Sequence, residues 1–167
     1  MKKLYTIFSL LLFCSFNLFA QDPCTSITTI SCGTNITFTQ TGTGNVNYPN
    51  NFGGCTSVTL QGGKEQIYQF TPTSTGTYEF DVTTSSGGYV QYLWKLASLP
   101  CNNSGWNCID RTTTTGSVGA VNFTAGTSYY IILNAESTAT TTNIFTLKCA
   151  TVVCNNILPL TCDTPTN

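Results

Sequence analysis

Short segments in which apolar and polar residues alternate run through most of the chain. The clearest is 77–83, where Tyr78, Phe80 and Val82 alternate with polar residues, as in a strand with one buried face. Residues 127–134 form a continuous apolar run, which is typical of a central strand covered on both faces. The predicted strands are 35–40, 66–70, 77–83, 89–96, 120–123, 127–134 and 143–149. Glycine-rich turns separate them, and no window has helical periodicity. The sequence therefore predicts an all-β fold, a two-sheet antiparallel β-sandwich that is jelly-roll-like, with seven or eight strands.

The first 20 residues have the three-part pattern of a secretory signal peptide. Lys2 and Lys3 precede an apolar stretch over residues 4–13, and the small residue Ala20 ends the segment. The apolar stretch is shorter than the ~20 residues that a membrane-spanning helix needs, which disfavours a permanent anchor. Lipid attachment at Cys14 is a further alternative. We predict cleavage after Ala20, no membrane span in the mature chain, and a secreted protein located in the medium or on the outer cell surface.

Charged residues are few in this chain and histidine is absent, and these two facts exclude two classes of function. Charged residues make up 8% of the sequence, the net charge is −1, and there is no histidine. Soluble globular proteins carry about 25% charged residues, and here 32 threonines supply much of the polarity instead. Six basic residues are too few for a nucleic-acid interface. Without histidine, imidazole cannot serve as a base or as a metal ligand.

Export changes the meaning of the cysteines, because disulfides form and persist in exported proteins. Eight cysteines remain after the predicted cleavage, and none has the C-x₂-C spacing of a zinc site. The short loop between Cys101 and Cys108 favours a local bridge, and a bridge from Cys24 to Cys149 would join the ends of the folded unit. The predicted pairs are Cys101–Cys108, Cys24–Cys149 and Cys32–Cys55. The alternative is a local bridge within each C-x₇-C segment, Cys24–Cys32 and Cys154–Cys162.

The two ends of the predicted mature chain resemble each other. Residues 24–34 and 154–164 share the pattern C-x₂-I-x₂-[I/L]-x-C-x-T. Chance similarity between two segments rich in cysteine and threonine is the alternative to a true repeat. We predict a signal peptide at 1–20, a sandwich domain at 21–150, and a tail at 151–167 that begins a second, truncated repeat.

Two segments of the chain carry a recognisable order of motifs. In 63–82, a strand that ends in Y-x-F leads through a Pro/Gly turn into G-x-Y-x-F, and 125–133 contains the later G-T-x-Y-Y-I strand. Together these segments resemble the bacterial pre-peptidase C-terminal domain. The loop C-N-N-S-G-W-N-C-I-D is similar to the Cys-rich variant in exported multidomain proteins of Bacteroidetes. The resemblance implies a β-sandwich accessory module of secreted enzymes or adhesins, with calcium or polymer binding in some relatives. Calcium sites in that family use clustered acids near the first strands. Asp22 is the only acid before Glu65 here, so we predict no cofactor.

A tryptophan in the loop between two cysteines is the best candidate for a binding residue. Trp106 lies among the amides of Asn102 and Asn103 and the charged residues Asp110 and Arg111. A rigid loop that exposes an aromatic face beside hydrogen-bonding groups suits an extracellular polysaccharide or a protein surface. The alternative is that Trp106 folds onto the edge of the sandwich and that Asp110 pairs with Arg111.

The residues needed for catalysis are poorly represented. Glu79 and Asp81 lie on one face of a predicted strand, about 6.6 Å apart by strand rise. That separation is near the lower limit for inverting glycoside hydrolysis, but acids on the polar face of a strand are usually solvated. We therefore predict a non-catalytic, monomeric module of a longer chain that binds a glycan or protein. The alternative is a ligand-free spacer in a tandem array, as repeated units provide either avidity or reach.

Overall fold

The computed structural model describes residues 22–44, 55 and 62–150. The predicted signal peptide, its cleavage site and the segment 151–167 lie outside the described residues. Within them, the chain forms a 3-10 helix, Pro23–Thr25, and nine strands. These are β1 (Thr28–Ile30), β2 (Asn35–Gln40), β3 (Glu65–Phe70), β4 (Gly76–Ser85), β5 (Val90–Leu96), β6 (Asn107–Thr112), β7 (Gly116–Phe123), β8 (Tyr129–Ala135) and β9 (Thr141–Lys148).

The strands form two sheets, in the orders β1-β3-β8-β5-β6 and β2-β9-β4-β7. Four antiparallel pairs are nested within one another: β2 with β9, β3 with β8, β4 with β7, and β5 with β6. This nesting describes a long hairpin rolled into a sandwich, which is the jelly-roll arrangement. β1 is the exception, because it pairs with β3 in parallel. The predicted fold class is therefore confirmed.

All seven predicted strands are present, with some shifted ends, and two observed strands were missed. β1 has only three residues, too few for an alternating pattern to be recognised. β6 has the sequence Asn-Cys-Ile-Asp-Arg-Thr and a burial pattern without alternation. Both missed strands lie at the edges of the five-stranded sheet, where only one neighbouring strand constrains the sequence.

The main core lies between the sheets and is dominated by aromatic rings. On β4, Tyr78, Phe80 and Val82 all point into it, as their alternation with polar residues predicts. Phe80 packs against Tyr92 of β5 and Phe145 of β9, with ring centroids 6.2 and 6.4 Å away. Rings at these separations contribute about 0.5–1.5 kcal/mol per pair beyond the area that they bury.

A second apolar cluster covers the outer face of the five-stranded sheet. Its centre is formed by Ile67, Leu93 and Ile132 from three adjacent strands, and Cys55 and Trp106 pack over them. The continuous apolar run of β8 follows from this second cover, because alternate residues of that strand enter opposite clusters. The prediction of a central strand covered on both faces is thus confirmed.

The disulfides differ from all three predicted pairs. The structure pairs Cys24 with Cys101, Cys32 with Cys149, and Cys55 with Cys108. The predicted Cys101–Cys108, Cys24–Cys149 and Cys32–Cys55 bridges are therefore wrong, and so is the local alternative Cys24–Cys32. The alternative Cys154–Cys162 lies outside the described residues.

Packing around Trp106 explains two of these pairings. Cys24, Cys55, Cys101 and Cys108 all belong to the cluster that surrounds the indole ring, so the bridges join distant segments across it. The third bridge, Cys32–Cys149, is explained by the position of β1. This extended strand lies between Cys24 and Cys32 and separates the two cysteines from each other. After β1, the Gly33 N–H donates to the carbonyl oxygen of Leu147 at 2.8 Å, which brings Cys32 beside Cys149.

Candidate functional site

The loop that was predicted to bind a ligand is folded around a buried lysine. Lys95 lies on β5, and its side chain is fully buried, at 0% exposure. Its ammonium donates to the carbonyl oxygens of Pro100, Asn102 and Ser104, at 2.7, 3.0 and 3.1 Å. It also lies 4.5 Å from the centre of the Trp106 ring. Burial lowers the pKa of Lys95. The loop conformation is thus set by satisfying one internal cation.

Trp106 does not present an aromatic face to solvent. The residue is only 6% exposed, and its indole N–H donates to the carbonyl oxygen of Asn102 at 2.9 Å. Its ring packs with Leu93 and Ile132 in the second cluster. The predicted exposed ring is therefore wrong, and the alternative, a tryptophan folded onto the sandwich, describes the structure. A large aromatic side chain gains more by covering apolar strand residues than by remaining in water.

The other predicted site residues do not converge on Trp106. Asn102 and Asn103 are exposed, and the Asn102 side-chain oxygen accepts from the Ser104 N–H at 3.1 Å. Asp110 is also exposed and accepts from the backbone N–H of Arg111 at 2.7 Å. The two charged residues lie on β6, four and five residues after Trp106, which corresponds to roughly 13–17 Å of strand rise. The structure thus separates the predicted set into two places.

Arg111 belongs to a cluster at the end of β6 that the sequence did not indicate. Its Nε and Nη2 donate to the two carboxylate oxygens of Glu136, at 2.5 and 2.7 Å. Gln91 donates to the same carboxylate at 2.9 Å. The guanidinium lies 3.6 Å from the ring centre of Tyr89, which is 44% exposed. The hydrogen bonds to Glu136 raise the pKa of Arg111. The predicted alternative, a side-chain pair between Asp110 and Arg111, is wrong, because the guanidinium of Arg111 forms its ion pair with Glu136.

The two carboxylates considered for catalysis share one lysine. Lys148 Nζ lies 3.3 Å from Glu79 Oε1 and 3.4 Å from Asp81 Oδ2. Hydrogen bonds from Ser117 and from Lys148 lower the pKa of Glu79. A general acid needs the opposite shift, since it must hold its proton near neutral pH. The geometry therefore describes an ion-paired surface of the four-stranded sheet.

The structure contains a groove that the sequence did not indicate. It lies between β1 and β2, the edge strands of the two sheets, and has a volume of about 630 Å³. Every described residue that lines it is uncharged, and hydroxyl and amide side chains predominate among them. Gln66 and Tyr68 of β3 contribute to its lining as well. A cavity of this size is within the range that binds small molecules and polymer segments.

Tyr68 supplies an unusual polar group to this groove. The residue is 4% exposed, and its ring packs against Phe145 with centroids 5.8 Å apart. Among the described residues, no hydrogen-bond partner is found for its hydroxyl group, whereas the Tyr78 hydroxyl donates to the Ser74 carbonyl oxygen at 2.8 Å. Like any tyrosine it is protonated at physiological pH, and burial raises the pKa of Tyr68 further above its usual value. It can donate to a ligand.

Across 22–44, 55 and 62–150, no group of three or more His, Cys, Asp or Glu side chains could hold a metal ion. In the same ranges, no helix has the length and hydropathy that crossing a bilayer requires.

Comparison with known proteins finds similarity among solved structures. No protein-family model matches the chain, and no curated protein matches it. Among solved structures, the chain is similar to the pre-peptidase C-terminal domain of a collagenase from Bacillus anthracis, with 14% sequence identity and a TM-score of 0.48. The alignment covers 74% of this chain and 95% of that one. Function must therefore be argued from the residues of the groove.

Removing the buried cation tests whether it organises the loop. We expect Lys95→Met to lower the free energy of unfolding by about 2–3 kcal/mol, because the carbonyl groups around the ammonium would lose their charge-assisted donor. Urea denaturation measures this change. Lys148→Met is the matched control, since Lys148 is an exposed surface cation, and its unfolding midpoint should hardly move. Equal midpoints for both variants and the parent protein would contradict a structural role for Lys95.

Proposed function

We propose that this chain is an exported, non-catalytic β-sandwich module of the pre-peptidase C-terminal type. In this proposal it binds a glycan or protein ligand at the cell surface or in the medium, as an adhesin-like module or an enzyme-accessory domain. The signal-peptide pattern and the three disulfides support export. The sequence motifs of 63–82 and 125–133 support the family assignment.

The observation that carries the proposal is the uncharged groove between β1 and β2. Its hydroxyl and amide lining can exchange hydrogen bonds with a neutral polymer without pairing any charge. The Tyr68 hydroxyl adds a further hydrogen-bond donor to this lining. The proposed site is thus the groove rather than the loop around Trp106, where the indole is covered.

Retention of the oxidised protein on insoluble polysaccharides and immobilised matrix proteins, with and without calcium, tests the proposal. We expect retention on one of them, and a loss of about tenfold in affinity for Thr37→Lys, which places a charge on the groove wall. Thr83→Lys is the control, because Thr83 is exposed on β4, away from the groove. Equal retention of the two variants, or no retention of the parent protein on any surface, would reject the groove as a ligand site.

A second candidate function is that of a ligand-free spacer in a tandem array. The pattern shared by residues 24–34 and 154–164 supports it, because its residues in the first copy have structural roles. Cys24 and Cys32 form bridges, and Ile30 enters the core. Cys154 and Cys162 would then need partners equivalent to Cys101 and Cys149. Mass mapping of the disulfides tests this, and a Cys154–Cys162 bridge would contradict it.

A further inference from the structure

The two sheets do not contain equal numbers of strands. The nested pairs distribute β2 to β9 evenly, four strands to each sheet, and β1 is additional at the edge of one of them. The corresponding position in the other sheet lies beside β2. Among the described residues no strand pairs there, and the groove occupies this place. The groove therefore lies at a strand position that β1 fills in one sheet and that no described strand fills in the other.

β2 has the chemistry of an edge that can accept another strand. All six of its residues pair with β9 in a continuous register without a bulge. Its sequence, Asn-Ile-Thr-Phe-Thr-Gln, contains no charge and no proline, which are the features that usually protect an edge from pairing. The other edges differ. β6 carries Asp110 and Arg111, β1 has three residues, and the pairing of β7 with β4 is interrupted by a bulge.

The groove favours a polypeptide over a sugar. Sugar sites usually offer an exposed aromatic face for stacking, and the aromatic residue of this groove, Tyr68, is buried with its ring against Phe145. Ile30 and Ile36 supply apolar surface on opposite walls, and threonine hydroxyls lie beside them. This alternation matches an extended segment whose residues point by turns into the groove and away from it.

We infer that the ligand of the groove is an extended, uncharged polypeptide segment of about five or six residues, which adds to β2, at the edge that no described strand occupies, as a fifth strand of that sheet. The inference rests on the proposed function, since it names the ligand class of the same groove. Main-chain hydrogen bonds to β2 supply the affinity. The absence of charge in the lining selects against acidic and basic segments, because a charge enters the groove without a partner.

A displayed library of uncharged peptides, about ten residues long, provides the probe for the oxidised protein. An enriched peptide is then synthesised in two N-methylated forms. One form carries methyl groups on the backbone nitrogens of its odd-numbered residues, and the other carries them on those of its even-numbered residues. In strand addition, alternate N–H groups face the partner edge. We therefore expect one form to lose at least about tenfold in affinity and the other to bind as the parent peptide does. Thr37→Lys should weaken binding of the parent peptide, and Thr83→Lys should not.

The possible failures are distinguishable. Equal loss in both methylated forms, or in neither, would overturn strand addition. Retention on a polysaccharide that depends on Thr37, with no peptide enriched, would overturn the polypeptide ligand while the groove remained a binding site. No binding of either polymer would reject the proposed function as well. Dimerisation of the protein alone in sedimentation, abolished by Thr37→Lys, would replace the peptide by a second copy of this chain.

Discussion

Replacing Cys32 and Cys149 together by alanine should lower the free energy of unfolding by about 4–5 kcal/mol. The bridge closes a loop with a sequence separation of 117, the longest of the three, so its removal releases the most chain entropy in the unfolded state. It also joins the segment before β2 to the residue after β9, so that the first and last strands of the rolled hairpin are tied together. Stabilisation of this size is a large part of the 5–15 kcal/mol that holds an ordinary domain folded.

Urea denaturation of the oxidised proteins measures the effect, and mass mapping of the parent protein establishes the pairing. The single variant Cys32→Ala should lose as much as the double variant, because either change removes the same bridge. Recovery of a Cys24–Cys149 peptide, or a double variant as stable as the parent protein, would contradict the pairing described here.

The strand pattern could be predicted from the sequence because each central strand faces a core on at least one side. On β4 and β9, burial alternates with a period of two, and sequence alternation reports it directly. On β8 both faces are covered, and the continuous apolar run reports that as well. These signals depend only on which side of a strand meets water, which is a local property of the chain.

The disulfide pairs and the groove could not be predicted in this way. Connectivity depends on which distant segments meet around Trp106, and spacing along the chain does not encode that meeting. One wall of the groove is β1, which pairs in parallel with β3, and a strand of three residues leaves no periodic signal. The ion pair between Arg111 and Glu136 is likewise a contact between the ends of separate strands.

Lys95 is different, because a signal was present. It follows Leu93 by two residues on a predicted strand, so both side chains lie on the same face of the sheet. Leu93 enters the second cluster, and Lys95 is therefore carried beneath the same loop. A lone cation at such a position predicts a buried ammonium that needs several acceptors, and the carbonyl groups of the 100–104 loop provide them.

The second large effect is expected for Trp106→Ala, which should lower the free energy of unfolding by about 3–5 kcal/mol. The change removes the ring that covers Leu93 and Ile132, and the cavity that it leaves is enclosed by two disulfides, which limit collapse. The ammonium of Lys95 also loses its aromatic neighbour. Trp106→Phe, which keeps a ring but loses the bond to Asn102, should cost clearly less.

Ligand retention separates the packing role of Trp106 from a recognition role. Because the indole is outside the groove, Trp106→Ala should bind with unchanged affinity at a temperature where it is still folded. Thermal unfolding and retention measured on the same samples test both expectations together. A variant of normal stability that no longer binds would return the ligand site to the loop between Cys101 and Cys108. A destabilised variant that still binds would leave the edge of β2 as the place where recognition occurs.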